Sequence, residues 1–438
     1  MIFLILIVIY IISLIMSFSF FKKIFNPLSV YATIWFFLIS LYEIRLINYD
    51  IISSQVWVVI GGAYFAFFSG ILIPFFLYGS SNFERKDSQN ELFYRLYSEK
   101  INLIKYLIIF FSIVGLYSTL QHWSVLLSMF GSIPKVLLNS PTIYRMRISG
   151  ELEGVIPYIF VSSYIAIFLV AVYSAYLKKF SILALIPFFS IVFKGIASVG
   201  RQGILFGFLE FLTTYIVASY YFSQFREKKI LSKKGTIILI LFAAIFIVSV
   251  VLIKDFRGST DSYSGETRQL KALKNNTFIS PTIYFYLSSD LGVLNKYYEK
   301  GVEENRIGEN TFQLVYNILA KFGITERAQI YQKGYYIPQW TNTGTYLREL
   351  DVDFGVVGVY LIPFLLGFFS YYYWYFFMKT GNPVHLVLLI HLWLIIWFSF
   401  LMMITRGANW FLGLILLIIV FYLLPKINLP KRFSKKLS

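Results

Sequence analysis

Cysteine is absent from this chain of 438 residues, which excludes disulfides, thiolate metal sites and a cysteine nucleophile. Histidine occurs only three times. No zinc motif, Ser-His-Asp arrangement or glycine-rich nucleotide loop is present. Neither a nucleotide-sugar donor nor an ATP-driven mechanism therefore finds support, and no cofactor or metal is expected. Charge is scarce as well: 14% of residues are charged and 58% hydrophobic, whereas soluble domains average about 45–50% apolar. Acids are the rarer sign, 22 against 39 Lys and Arg, for a net charge of +17. In a soluble protein that excess would point to nucleic acid. In a chain this oily the first explanation is topological, because cations hold cytoplasmic loops in place, and no nucleic-acid partner is expected.

What fills the chain instead is long apolar runs. Residues 1–21 carry no charge, and a run of roughly 18 or more such residues spans a bilayer. No Lys or Arg precedes that run and no small-residue cleavage site follows it, so it is expected to be a retained span and not a signal peptide. Eleven spans are expected, at about 2–21, 28–47, 54–78, 102–120, 156–177, 181–198, 203–222, 236–253, 355–378, 384–404 and 409–424. The fold class is all-α: a polytopic integral membrane protein with a large helical extracytoplasmic loop. Membrane helices 1–8 occupy 1–253 with a medium outer loop at 121–155. The long loop fills 254–353, helices 9–11 fill 354–424, and a basic cytoplasmic tail fills 425–438. Within the long loop, "NTFISPTIYFYLSSDLGVLNKYY" and "NTFQLVYNILAKFG" have the periodicity of amphipathic helices opened by Asn-Thr. A folded cap on the membrane surface is expected there.

If spans alternate, about 20 Lys and Arg fall on one side, about 16 of them Lys, and about seven in the short segments of the other. The first side is then cytoplasmic, with the N-terminus outside, the C-terminus inside and both larger loops outside. In the short outer segments Arg leads. Lys suffices for orientation, whereas Arg offers a planar fork that grips phosphate oxygens bidentately. "SPTIY" occurs at 140–144 and 280–284, and each copy is expected to open a surface helix with Ser as N-cap and Pro as first residue.

The outward arginines Arg145, Arg147, Arg201, Arg257, Arg348 and Arg406 are the first functional candidates. Several lie where a span meets the surface, in "GRQG", "KDFRGS", "TYLRELD" and "ITRGANW", and flanking glycines let a backbone approach a ligand. For any one of them, interfacial snorkelling or contact with anionic lipid headgroups is the plainer explanation. For the set, neither selects Arg over Lys, and a lipid-linked pyrophosphate at the membrane surface does. The second candidate is "NTGTYLRELDVDFGVVGVYL", 342–361, with Glu349, Asp351 and Asp353 just before a span. Asp-Val-Asp could hold a metal, but two carboxylates without clustered His make an incomplete site. The acids could also offset the helix dipole, worth about 0.3–1 kcal/mol each, or one could take a proton from a sugar hydroxyl. His122, beside Trp123 at the outer end of a span, is a further base candidate against a plain interfacial role. His385 and His391 are expected to be buried polar contacts. Outer-loop aromatics such as "GYYIPQW" suit either sugar stacking or the aromatic belt of a membrane interface.

At "NTGTYLRELDVDFGVVGVYLIPFLLG" the chain resembles the oligosaccharide repeat unit polymerases, the Wzy-type O-antigen and capsule polymerases of bacteria. It resembles them in its many spans, in its large late outer loop, in an Asn-Thr run ending in Asp-Phe-Gly-x-x-Gly, and in the Arg hairpin "GRQG". Asn342, Thr345, Asp353, Gly355, Gly358 and Arg201 carry the match. The Arg–Gly spacing found in outer loops of some members is missing. The resemblance implies a membrane glycosyltransferase-like fold in the bacterial plasma membrane, with its active site on the extracytoplasmic face. It implies a donor glycan on undecaprenyl pyrophosphate and one lipid-linked repeat unit as acceptor, with a flippase and a chain-length regulator as further partners. The leaving pyrophosphate needs charge stabilisation, which arginines supply without metal, and the attacking hydroxyl needs a base: Asp353, then Glu349, then His122. An O-antigen ligase, with the same donor and another acceptor, is the nearest rival. A lipid-linked oligosaccharide flippase or other transporter would show charges within spans and repeated halves; the spans carry few charges and no repeat is found.

Overall fold

The computed structural model describes residues 2–81, 92–149, 156–225, 281–301, 306–329 and 332–427. The expected span at 236–253, Arg257, the start of the long loop and the end of the tail lie outside them. The described residues are mostly helical: α1 (Ile2–Phe21), α2 (Pro27–Ile44), α3 (Ser54–Tyr78), α4 (Leu92–Glu99), α5 (Ile101–Phe130), α6 (Ile133–Leu138), α7 (Ser140–Ser149), α8 (Val161–Leu177), α9 (Leu185–Ala197), α10 (Gln202–Phe222), α11 (Pro281–Lys300), α12 (Gln313–Lys321), α13 (Tyr346–Thr380), α14 (Pro383–Phe398) and α15 (Ala408–Leu423). One short hairpin pairs β1 (Tyr335–Tyr336) with β2 (Trp340–Thr341). Among the described residues seven helices (α1, α2, α3, α5, α10, α13 and α15) are long and apolar enough to cross a membrane, and three shorter apolar ones stand at Val161–Leu177, Ile182–Ala197 and Pro383–Phe398. This is a multi-pass helical membrane protein.

Helix ends follow local chemistry. Asn26 caps α2: its side chain accepts the Ser29 N–H at 2.9 Å while Ser29 Oγ accepts the Asn26 N–H at 3.0 Å, and Pro27 opens the helix. α5 runs ten residues beyond its expected end at 120. Gln121 and His122 end the apolar run, but nothing breaks the helix until Gly131, whose φ of 85° closes it. His122 therefore sits within a helix and not at a loop edge. α7 also departs from expectation. Its Ser140 lies inside the helix and donates its hydroxyl to Leu137 O at 2.6 Å, while the Asn139 carbonyl accepts the Ile143 N–H at 3.0 Å.

The chain forms two compact units. The first comprises Met1–Asn82, Thr260–Tyr375 and Leu392–Trp410; the second comprises Phe83–Ser259, Phe376–His391 and Phe411–Ser438. In the first, α3 and α13 cross with backbones in contact. A Cβ on Gly70 would strike the Phe364 carbonyl, and one on Gly367 the Phe67 carbonyl. Close approach through small residues substitutes for the hydrophobic effect, which is lost in lipid. In the second, α5, α8 and α9 meet through hydroxyls: Ser190 Oγ lies 2.9 Å from Thr119 Oγ1 and 3.0 Å from Ser163 Oγ, with Gly115 pressed against Ser163.

Gly367→Leu is expected to lower the melting temperature in detergent, at a cost of about 1–3 kcal/mol or more. Gly61→Leu on α3, where an added Cβ meets nothing within 4 Å, is the control expected to leave it unchanged.

Candidate functional site

In the first unit the polar chemistry converges on the opening of α13. Gly355, with φ 63° and ψ −161°, breaks this helix and separates 346–354 from the apolar length that follows. Only glycine enters that region readily. Gly358 is needed for a different reason: a Cβ there would sit 2.5 Å from Phe354 Cβ and 2.8 Å from the Leu350 carbonyl. The two glycines of Asp-Phe-Gly-x-x-Gly thus shape the break.

Four charged residues on the segment before the break are buried, and each holds a different neighbour. Arg348, 0% exposed, donates through Nη2 to Lys333 O at 2.6 Å and lies over the rings of Tyr335 (5.1 Å) and Tyr297 (5.9 Å). Glu349 accepts from Arg406 Nη1 at 2.8 Å and from the Met403 N–H. Asp351 accepts the Tyr297 hydroxyl at 2.8 Å. Asp353 takes four donors: Oδ1 accepts Asn310 N–H (3.0 Å) and Nδ2 (2.9 Å), and Oδ2 accepts Thr311 N–H and Oγ1, both at 2.7 Å. Thr405 Oγ1 donates to the Thr311 carbonyl at 2.9 Å, tying the same loop to the turn that carries Arg406.

These contacts show what two of the candidate acids hold. Asp353, the first choice for the base, has both oxygens filled and serves as the anchor of the 310–311 turn. Asp351 and Asp353 do not share a ligand position, since each faces its own partner. Among the described residues no group of three His, Asp or Glu could hold a metal ion. Glu349 takes one donor on each oxygen and so retains accepting capacity. Of the motif residues, Asn342 is half-buried and Thr345 is fully buried, its hydroxyl making no hydrogen bond.

α11 docks on the same unit. Tyr284 donates to Leu41 O at 2.7 Å, the hydroxyls of Tyr49 and Ser288 meet at 2.6 Å, and Lys296 pairs with Asp50 at 2.7 Å. The sequence reading missed Asp290 on this helix. It is 0% exposed, and neither carboxyl oxygen has a hydrogen-bond partner. Burial pushes its acid well above the ordinary carboxylate range.

In the second unit a cationic cluster gathers at "SVGRQG". α9 ends in a turn where the Gly200 N–H reaches back to Gly195 O at 2.9 Å, and Val199 takes φ 51°. That left-handed position normally falls to glycine. The glycine stands one place later, because Arg147 Nη1 lies where a Gly200 Cβ would be 2.8 Å away; Gly203 likewise makes room for the Tyr164 hydroxyl, which donates to its carbonyl at 3.1 Å. Both glycines therefore accommodate side chains from neighbouring segments, and not a ligand approaching the backbone. Arg201 follows at the N-cap of α10, half-buried, and Arg145 is exposed on α7.

The residue that sequence did not single out is Lys194. Its Nζ lies 2.6 Å from His122 Nδ1 and 5.6 Å from the centre of the Phe160 ring. Trp123 sets this register, donating its indole N–H to Phe193 O at 3.0 Å and stacking on Phe193 at 4.5 Å. Among the described residues no carboxylate forms an ion pair with Lys194 or Arg147. The candidate arginines thus divide, Arg145, Arg147 and Arg201 in the second unit and Arg348 and Arg406 in the first, where the last two are engaged with rings and with Glu349. His391 is buried and bonded to Val387 O at 2.8 Å, and His385 makes an edge contact with Phe376.

No family model, curated protein or solved structure matches the chain.

Two outcomes follow from this geometry. Asp353→Ala, which orphans up to four buried donors, is expected to cost roughly 2–4 kcal/mol and to raise hydrogen exchange across 306–329. Burial raises the folded-state pKa of Asp290 above the unfolded one. Its stabilising contribution is complete below the ordinary Asp pKa of about 3.9 and is lost as pH rises through the raised value. Melting curves between about pH 4 and 8 are expected to fall with pH, and Asp290→Asn to flatten that fall.

Proposed function

We propose that this chain polymerises oligosaccharide repeat units carried on undecaprenyl pyrophosphate, on the outer face of a bacterial plasma membrane. The observation that carries the reading is the cluster of Arg147, Lys194 and the Gly200–Arg201 turn, whose Arg147 and Lys194 have no paired carboxylate among the described residues. In a low-dielectric setting, unneutralised cations with spare donors favour a multivalent oxyanion.

The reaction this asks for is a glycosyl transfer. A hydroxyl of the acceptor's terminal sugar attacks the anomeric carbon of the donor glycan, and the new C–O bond replaces the bond to pyrophosphate. The electron pair leaves with undecaprenyl pyrophosphate, whose growing charge the cations stabilise. The hydroxyl proton passes to a base. Tyr336 and Trp340, paired across the hairpin and both exposed, offer ring faces suited to the C–H faces of sugars. The count of eleven spans, the outward N-terminus and the cytoplasmic tail belong to this proposal.

Purified protein incubated with a lipid-pyrophosphate repeat unit is expected to give a ladder of products without added nucleotide or metal; a substrate left unextended would sink the reading. Arg201→Lys, which keeps the charge and loses the fork, is expected to slow extension by about 10- to 100-fold at unchanged abundance. In cells, loss of the gene is expected to leave glycan capped at a single repeat. Polymer stranded on its carrier would favour the ligase instead, and absence of surface glycan the flippase.

A further inference from the structure

We infer that Lys194 grips a phosphate-ester anion and that His122 is its positioning residue, a neutral acceptor that holds the ammonium in place without cancelling its charge. The inference deepens the reading above and rests on it only for the identity of the anion.

The proton between the two residues belongs to lysine, since an amine is about four pKa units more basic than an imidazole. Lys194 Nζ therefore donates across the 2.6 Å contact and His122 Nδ1 accepts. The ring's own N–H is then on Nε2, which leaves the imidazole with no lone pair to take a proton. This removes His122 from the list of general bases. The ring is buried and fixed by its neighbour, because Trp123 locks α5 against α9 at consecutive residues.

A lysine set into an apolar helix is ordinarily matched by a carboxylate, which repays the cost of taking the charge out of water. Here the partner is an imidazole. Lys194 keeps the shared proton, and of its three N–H donors one is spent on His122. The half-buried side chain thus presents donors beyond the one it spends.

Arg147 supplies an independent sign of the same design. Its guanidinium rests on Gly200 and acts electrostatically on both Lys194 and His122. To leave that space the turn places a β-branched Val at φ 51°, a conformation costing about 1–3 kcal/mol. Local turn chemistry has yielded to the position of a cation. Two like charges held together against their repulsion, with a neutral backing group, fit an anion with several oxygens: a phosphate or pyrophosphate ester. A lipid-linked pyrophosphate and a bilayer phospholipid both offer that chemistry.

The test is binding by the full-length protein in zwitterionic-lipid nanodiscs, titrated separately with undecaprenyl pyrophosphate, inorganic pyrophosphate and phosphatidylglycerol. Undecaprenyl pyrophosphate is expected to bind, and Lys194→Gln or Arg147→Gln to weaken it about 10- to 100-fold. His122→Glu, which pairs off the ammonium, is expected to weaken it as much as Lys194→Gln. His122→Gln, which keeps a neutral acceptor, is expected to lose less than about tenfold. Binding of phosphatidylglycerol alone, still sensitive to Lys194→Gln, would keep the anion site and remove the polymerase reading. Binding indifferent to Lys194→Gln, or equal losses in His122→Gln and His122→Glu, would overturn the inference. Histidine ¹⁵N NMR of the unmodified protein decides the matter even if variants fail to fold: His122 is expected to carry its proton on Nε2 at neutral pH, and a proton on Nδ1 overturns it.

Discussion

A charge taken out of water must find an opposite charge or several donors close by, or the fold loses more than burial returns. Four such charges crowd the opening of α13, and each has its answer in a different stretch of chain. Arg348 reaches the Lys333 carbonyl and two aromatic rings, Glu349 reaches Arg406, Asp351 reaches Tyr297, and Asp353 reaches the 310–311 turn. The first unit's polar segments are therefore specified by this short piece of helix. Apolar packing adds to it, through Val293, Tyr297, Tyr335 and Ile337, but is not directional enough to set which loop meets which residue. The break at Gly355 matters because it lets the charged segment leave the line of the apolar helix that follows.

The second unit solves the opposite problem. Among the described residues it holds Lys194 and Arg147 together without a paired carboxylate, and uses neutral or aromatic neighbours to do so: His122 and Phe160 for Lys194, Tyr144 for Arg147. Such an arrangement costs stability in the empty protein, as does the left-handed Val199. A network built for stability alone would carry carboxylates at these places, as the first unit does. The contrast between the units separates groups that hold the fold from groups with capacity to spare for a ligand.

Within each unit the helices pack by rules proper to lipid. Backbones meet at Gly70 and Gly367, and hydroxyls meet at Thr119, Ser163 and Ser190. Lys100, which by charge alone counts only toward orientation, also closes the last helix by donating to the carbonyls of Leu424, Pro425 and Ile427 at 2.6–3.0 Å.

Sequence alone determined the membrane class and most helix positions, because apolar runs and end signals such as Asn26-Pro27 act over a few neighbouring residues. It also brought the "GRQG" turn and the 342–361 segment forward, since charges beside spans stand out against an oily background. What tertiary structure decided is the work each charge does. Asp353 is saturated by residues 310 and 311, Arg348 is spent on rings, and Asp290 is sealed from every donor. Lys194, easily passed over inside an apolar run, becomes a ligand-gripping cation only through a histidine 72 positions away. A side chain's partners depend on segments distant in sequence, and burial, not residue type, sets whether a carboxylate is base, anchor or neutral acid.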